Sequence, residues 1–190
     1  MKKKLTMIAA LALAVCIGIG GTMAYLTAKT SAITNTFTIG GIALTLTETE
    51  GVDKGNNTRE FTLVPGQDVA KNPKVQVTEV PGDSYVFVKI DEGANVDDYY
   101  TYTVDSAWTP LTDVAGVYYR EVSAADSAAV SVLAGDKVTT LGTVNEIADN
   151  ADLDLTFTAY AIQKAGFASA NAAWTAGNKT ASEGGWLPNA

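Results

Sequence analysis

The chain has 190 residues, and 13 lysines and arginines stand against 21 aspartates and glutamates, which gives a formal net charge of -8 at pH 7. An excess of negative charge repels nucleic acid and anionic lipid surfaces, so neither is expected as a partner. The chain contains no histidine, which excludes a Ser-His-Asp triad and the usual nitrogen ligands of a zinc site.

The first 24 residues have the pattern of a secretory signal peptide. Three lysines at positions 2–4 precede an apolar run, Leu5 to Ile19, and small residues follow as far as Ala24. This order predicts cleavage by a signal peptidase between Ala24 and Tyr25. As a helix this run would be about 22 Å long, which is shorter than a hydrocarbon core of roughly 30 Å. A helix extended to Ala24 would be about 30 Å long, so the alternative is that the segment is retained as a membrane anchor. We therefore expect a protein secreted to the cell surface or an extracellular matrix, with membrane contact only through this segment.

Cleavage would leave residues 25–190 as one domain with ten basic and 21 acidic residues, a net charge of -11. The only cysteine, Cys16, lies in the apolar run, so the mature domain is expected to have no disulfide, no thiol chemistry and no cofactor. Lipidation of Cys16 is a further alternative, but Val15 fits poorly as the small residue expected before a lipidated cysteine.

The first mature segment, residues 25–39, contains a strand pattern in which threonines alternate with mostly apolar residues. One face of the strand carries the apolar side chains Ile33, Phe37 and Ile39. At Gly40-Gly41 the alternation slips by one residue, and the apolar positions after it are Ile42, Leu44 and Leu46. Because such a slip sends side chains to the opposite face, the glycine pair predicts a bulge, a kink or a crossing between two sheets.

The rest of the chain predicts an all-β fold with one or two short helices. Residues 48–60 are predicted as a loop and residues 167–175 as a short helix, whereas residues 141–148 are ambiguous. The short strand patterns, separated by turn signals, lie at residues 61–64, 75–80, 85–90, 99–104, 117–122 and 152–162, with a short apolar piece at 128–133. Such spacing is typical of an antiparallel, jelly-roll-like β-sandwich.

Two of these strands allow a prediction of their faces. In residues 85–90, Tyr85 and Phe87 share one face and three aliphatic residues share the other, which predicts a central strand covered on both sides. In residues 152–162 the inward residues are predicted to be Leu153, Leu155, Phe157, Ala159 and Ala161. The outward residues are predicted to be Asp152, Asp154, Thr156, Thr158 and Tyr160.

Candidate chemistry is limited to carboxylates and tyrosines. Asp152 and Asp154 are predicted to project from one strand face, where they form either a solvated surface or a weak oxygen-ligand cation site without a calcium-loop motif. The tyrosine clusters at residues 99–102 and 118–119 fit cross-strand packing, with polysaccharide stacking as the alternative. No catalytic residue is assigned, and we do not expect an enzyme.

Several stretches resemble the TasA/camelysin family of exported Gram-positive proteins. They are G-G-T-M-A-Y-L-T and T-N-T-F-T-I-G-G-I-A-L-T-L-T-E near the start, L-V-P-G-Q at 63–67, K-N-P-K-V at 71–75 and A-Y-A-I-Q at 159–163. The resemblance implies a jelly roll released by a dedicated signal peptidase and, for the TasA branch, biofilm matrix fibres in which an N-terminal strand completes the sheet of the next subunit. Camelysin members are classed as metalloproteases, but this chain lacks histidine, so that activity is not carried over. Leu26 and Ala28 also depart from the Phe and Asp that relatives often have.

The sequence therefore predicts a self-assembling matrix protein. Residues 25–39 are the candidate donor strand, and Gly40-Gly41 is the hinge between it and the following strand, which stays in its own domain. Donation to a neighbour is a head-to-tail contact that does not close, so it builds a filament, and other matrix or cell-wall components are possible partners. The alternatives are a monomeric cell-envelope binding module of β-sandwich type and, third, a carboxylate-dependent hydrolase.

Overall fold

The computed structural model describes residues 42–179, which consist mainly of antiparallel strands. The strands are β1 (Ala43–Thr47), β2 (Val52–Gly55), β3 (Thr58–Glu60), β4 (Asp68–Ala70), β5 (Lys74–Glu79), β6 (Ser84–Glu92), β7 (Tyr100–Thr101), β8 (Thr109–Pro110), β9 (Val117–Val122), β10 (Val130–Ser131), β11 (Lys137–Thr140) and β12 (Leu155–Gln163). The helices are α1 (Val96–Tyr99) and α2 (Ala170–Gly177), with a 3-10 turn at Ala134–Asp136. The predicted all-β class with a short helix is confirmed.

Two sheets face each other across the main core. One has the strand order β1-β5-β10, and the other has the order β12-β6-β9-β8. Val75 and Val77 of β5 meet Val86 and Val88 of β6, and all four side chains are buried. Because successive residues of a strand point to opposite faces, these valines come from alternate positions of each strand.

The opposite face of β6 packs on helix α2. Tyr85 and Phe87 lie on this face, and the ring centroid of Phe87 is 5.3 Å from that of Trp174. The prediction that this strand is covered on both sides is therefore confirmed. Tyr160, which was expected to point outward, instead has its ring centroid 5.6 Å from that of Trp174, because α2 covers this face of β12 as well. Ser169 caps the helix, since its hydroxyl accepts a hydrogen bond from the Ala172 N–H.

A smaller sheet with the order β4-β11-β7 covers one end of the sandwich. Val138 of β11 is buried together with Val96, Tyr100 and Leu133. Leu155 and Phe157 of β12 contact both this cluster and the main core, so the first residues of β12 join the two. The strand predicted at residues 99–104 is shortened to β7, while β11 was not predicted.

Several predicted boundaries are wrong. Residues 61–64 form no strand, although Pro65 and Gly66 make the expected turn, with the Gln67 N–H donating to the Val64 carbonyl at 3.0 Å. The predicted loop 48–60 contains the hairpin β2–β3. Its turn residues, Asn56 and Asn57, have φ values of 51° and 59°, and asparagine tolerates this left-handed region better than most residues do.

Some of the features predicted from the sequence fall outside the described residues. They are the signal peptide at 1–24, the donor segment at 25–39 and the glycine pair Gly40-Gly41. Within residues 42–179, no helix is both long and apolar enough to cross a membrane.

Truncation of Phe87 tests the packing of α2 on the sheet. Phe87 is fully buried, so F87A should lower the free energy of unfolding by about 3–5 kcal/mol in urea titrations. The matched control is V64A, because Val64 is 49% exposed and should change stability by no more than about 0.5 kcal/mol. Equal effects of the two substitutions would contradict the packing described here.

Candidate strand-acceptor edge

The strand edges of the sandwich differ between its two sides. On one side the edge strands are β8 and β10, each only two residues long, and β8 includes Pro110. On the other side the edge strands are β1 and β12, which adjoin each other and contain neither charge nor proline. Natural sheets protect their edges with short strands, charges and proline. Of the two sides, only the first has such protection, in the form of its very short strands and Pro110. We call the second the β1–β12 side.

Strand β12 is the longest edge strand of the described chain. All nine residues pair with β6, from Leu155 opposite Glu92 to Gln163 opposite Ser84. No other strand within residues 42–179 pairs with its outer edge. The apolar side chains of β12 that pack on the core are only half-buried, and they are Leu155, Phe157, Ala159 and Ala161. The outer edge of β12 thus offers both backbone hydrogen-bonding groups and apolar surface.

Strand β1 pairs with β5 and begins at an irregularity. Ala43 lies opposite Glu79 and Leu44 lies opposite Val77, so the register shifts between them. This shift follows two residues after Gly40-Gly41, where the sequence predicted a break in the alternation. Ile42 and Leu44 pack on the core as expected, but Leu46 is 37% exposed because it lies on the outermost strand of its sheet.

The C-terminal end of β1 is fixed by a buried ion pair. The Lys71 Nζ lies 3.0 Å from the Glu48 Oε2, and both side chains are largely buried. The same ammonium lies 4.2 Å from the ring centroid of Phe61 and 5.3 Å from that of Phe157, within the range of cation–π attraction. Lys71 therefore links the end of β1 to the beginning of β12.

The neighbouring Asn72 holds the chain directly after β1. Its Oδ1 accepts hydrogen bonds from the N–H groups of Thr49, at 2.9 Å, and of Glu50, at 3.2 Å. Its Nδ2 donates to the Thr49 hydroxyl oxygen at 2.8 Å. Lys71 and Asn72, two consecutive residues of the K-N-P-K-V stretch, thus hold the C-terminal end of β1 in place. The segment that precedes β1 is therefore attached to a strand with a fixed position.

Asp152 and Asp154 lie before β12 and not within it. The Asp152 Oδ1 accepts a hydrogen bond from the Asp154 N–H at 3.3 Å, and its Oδ2 accepts one from the Ala94 N–H at 3.4 Å. Gly93 approaches Asp152 so closely that a side chain at position 93 would overlap it. The described part of the chain contains no group of three or more Asp, Glu, Cys or His residues arranged to hold a metal ion. A cation site at Asp152 and Asp154 stays a prediction.

The tyrosine hydroxyls are used inside the fold. Tyr100 donates to the Leu153 carbonyl at 2.8 Å, and Tyr102 donates to the Glu92 carboxylate. Burial, with the negative charge of Glu92 nearby, raises the pKa of Tyr100 to about 12. Burial and the hydrogen bond with Glu92 also raise the pKa of Tyr102 well above its ordinary value. These contacts favour the packing interpretation of the tyrosines.

An open polar cleft of about 400 Å³ lies between α1 and the loop that precedes β12. Hydrogen-bonding side chains dominate its lining, and they include Asn95, Asp98, Tyr99, Asn145, Glu146 and Asn150. The Tyr99 hydroxyl oxygen accepts a hydrogen bond from the Ala148 N–H at 3.1 Å, which ties the loop to α1. The cleft suits a small, uncharged polar ligand better than an anion, because its charged side chains are carboxylates.

Comparison of the chain with family models, with curated proteins and with solved structures finds no match in any of the three. The fold therefore defines a class only: an all-β protein in which, among residues 42–179, no strand pairs with the outer edges of β1 and β12. The resemblance to the TasA/camelysin family stays a prediction from the quoted sequence stretches.

Sequence reasoning missed the role of Lys71 and Asn72. Both belong to a stretch that carried the resemblance, but the residues alone did not indicate a buried lysine, because lysine is almost never buried without a partner and its partner lies 23 positions away. A period-two pattern identified β12, whereas only the sheet order revealed that it is an edge.

Removal of the Lys71 charge should destabilise the domain. K71M keeps most of the side-chain stem but leaves Glu48 without its buried partner, so the free energy of unfolding should fall by about 3 kcal/mol in urea titrations. The control K54M removes an exposed pair with Glu60 and should cost no more than about 1 kcal/mol. Similar losses in both variants would show that Lys71 does not anchor β1 in this way.

The raised tyrosine pKa values predict instability in alkali. A tyrosine in the unfolded chain ionises near its ordinary pKa of about 10, whereas Tyr100 stays neutral in the fold up to about 12. Its contribution to stability is therefore complete below pH 10 and is lost as the pH rises towards 12. Urea unfolding from pH 8 to pH 12 should show this fall, and Y100F/Y102F should flatten part of it. An equally steep fall in that variant would refute the assignment.

Proposed function

We propose that the protein is an exported structural protein that assembles into extracellular fibres. In this proposal residues 25–39 of one copy, freed by cleavage after Ala24, add a strand to a sheet of the next copy. The observation that carries the proposal is the β1–β12 side, where two adjoining edge strands have neither charge nor proline. Strand addition to an open edge supplies backbone hydrogen bonds, and alternate side chains supply specificity.

The position of the candidate donor supports head-to-tail assembly. The segment directly precedes β1, whose far end is anchored by Lys71 and Asn72. A strand given to the next copy would therefore leave from a fixed point on its own domain. Because the donated strand and the accepting edge are different surfaces, the contact is heterologous, and such contacts extend into filaments when the rotation does not close.

The apolar residues of the donor supply a driving force. Burial of Ile33, Phe37 and Ile39 would contribute about 1.5–3 kcal/mol each before the loss of chain entropy is subtracted. The acidic charge of the mature chain opposes assembly, and this repulsion between copies is screened by salt over a Debye length of about 8 Å at physiological ionic strength. Fibre formation should accordingly be favoured by salt.

A second candidate function is a monomeric cell-envelope binding module. The polar cleft beside α1 supports it, since amide, carboxylate and tyrosine side chains there can bind hydroxyl-rich ligands such as neutral sugars. In this alternative the first strand folds into its own sheet and the protein stays monomeric at all concentrations.

Removal of the donor segment tests the fibre proposal. The processed protein, recovered from an exporting host and confirmed by N-terminal sequencing to begin at Tyr25, should form fibres in electron micrographs and sediment with increasing size as concentration and salt rise. A variant without residues 25–39 should stay monomeric, because it has no strand to donate.

A matched pair of variants separates apolar burial from the mere presence of the segment. I33S/F37S/I39S should abolish fibres, whereas T34S/T36S/T38S keeps the apolar face and should polymerise as the native chain does. Polymerisation of the truncated protein at the native rate would refute the proposal. A native protein that stays monomeric at every concentration and salt level would favour the binding module.

A further inference from the structure

We propose that Arg120 binds a carboxylate group at a crevice between the two main sheets, a site that is independent of the fibre proposal. Seven of the nine lysines and arginines in residues 42–179 form ion pairs with aspartate or glutamate, and the two that do not are Arg120 and Lys179. Lys179 is exposed to solvent, whereas Arg120 is half-buried. Among the described residues, Arg120 thus has a charge that is partly withdrawn from water and has no acidic partner.

The strand pairing turns Arg120 towards the main core. Arg120 of β9 lies directly opposite Val86 of β6, and directly opposite residues of an antiparallel pair share a face. Val86 is fully buried between the two sheets, so the Arg120 side chain begins on the inner face of its sheet. Its Nε atom is buried and has no hydrogen-bond partner in the described part of the chain. Because a buried donor without a partner destabilises a fold, this N–H group calls for a ligand that completes it.

The crevice beside Arg120 has room for one oxygen of such a ligand. Its volume is about 10 Å³, which holds a single water-sized group. Apolar side chains dominate its lining, and they are Val75, Val77, Val86, Trp108, Val122, Ala128 and Val130. Charges attract each other more strongly in such surroundings than in water. One carboxylate oxygen fits this space, while the rest of the ligand stays at the mouth of the crevice.

The guanidinium of Arg120 selects a carboxylate over other ligands. Its N–H groups form a planar fork that matches the two oxygens of a carboxylate. A water molecule would complete the Nε hydrogen bond but would leave the positive charge unpaired. Doubly charged anions are disfavoured, because the chain has a net charge of -8 and Asp126 lines the same crevice.

Asp126 does not serve as the partner of Arg120, because Ser123 holds its carboxylate. The Asp126 Oδ2 accepts hydrogen bonds from the Ser123 N–H at 2.7 Å and from the Ser123 hydroxyl at 2.9 Å. These hydrogen bonds lower the pKa of Asp126, and the charge of Arg120 adds a smaller effect. The Nε–H of Arg120 nevertheless stays without a partner, so it is available to a ligand.

The two arginines of the chain allow a direct test by NMR. Arg59 and Arg120 are the only arginines in the sequence, so the processed protein in dilute solution should give two arginine Nε–H resonances, which R120K assigns. Sodium acetate that replaces sodium chloride at constant ionic strength should shift the Arg120 resonance until it saturates. The Arg59 resonance is the internal control and should not shift, because the Arg59 guanidinium donates to the carbonyls of residues 49–51.

Urea unfolding gives a second measurement of the same site. Acetate at ten times its dissociation constant should raise the ratio of folded to unfolded native protein about 11-fold. R120K keeps the charge but loses the planar fork, so its response should be smaller. K89Q removes an exposed charge from β6 and should respond as the native protein does. Comparison between these variants removes the general effect of the salt on stability.

Sedimentation distinguishes two sources of the carboxylate. If the group belongs to another copy of this acidic chain, R120K should lower the association of the processed protein, and acetate should compete with that association. If the group belongs to a free organic acid, native protein and R120K should associate equally.

Three results would refute the site. They are an Arg120 resonance that does not respond to acetate, a stabilisation by acetate that is equal in R120K, and a response that appears only in D126N. The last result would show that Asp126 is the partner of Arg120 in the native protein.

Discussion

The buried ammonium of Lys71 is the contact on which the arrangement of the β1–β12 side depends. It neutralises Glu48 at the end of β1 and lies 4.2 Å from the ring centroid of Phe61 and 5.3 Å from that of Phe157, so one side chain joins three parts of the chain. A buried charge is stable only when it is paired. If β1 left its position, Lys71 would either become exposed to solvent or stay buried without a partner for its charge. The strand that directly follows the candidate donor is thus held by electrostatics as well as by its pairing with β5.

This anchoring explains why the open edges on the same side are compatible with a defined structure. An unprotected sheet edge invites pairing with any extended chain, and the usual outcome is unspecific aggregation. Within residues 42–179 the two edges differ in length, with five residues in β1 and nine in β12, and each presents its apolar side chains in one alternation phase.

The period-two pattern made much of the fold predictable. Residues 117–122 were predicted with the observed bounds, and Tyr85 and Phe87 were placed correctly on the face opposite the valines of β6. Prediction failed where the determining contacts are distant in sequence. Tyr160 packs on Trp174 because α2 folds over the sheet, and the strand β11 is a strand because it pairs with both β4 and β7. Local alternation contains no information about either contact.

The candidate site was predictable in part for the same reason. The alternation of Ile33, Phe37 and Ile39 and the slip at Gly40-Gly41 are local, so the sequence alone predicts a strand and a boundary there; both lie outside the described residues and stay predictions. Whether that strand is kept or given away depends on which edges are open and how far apart they lie, and these are properties of the sheet order.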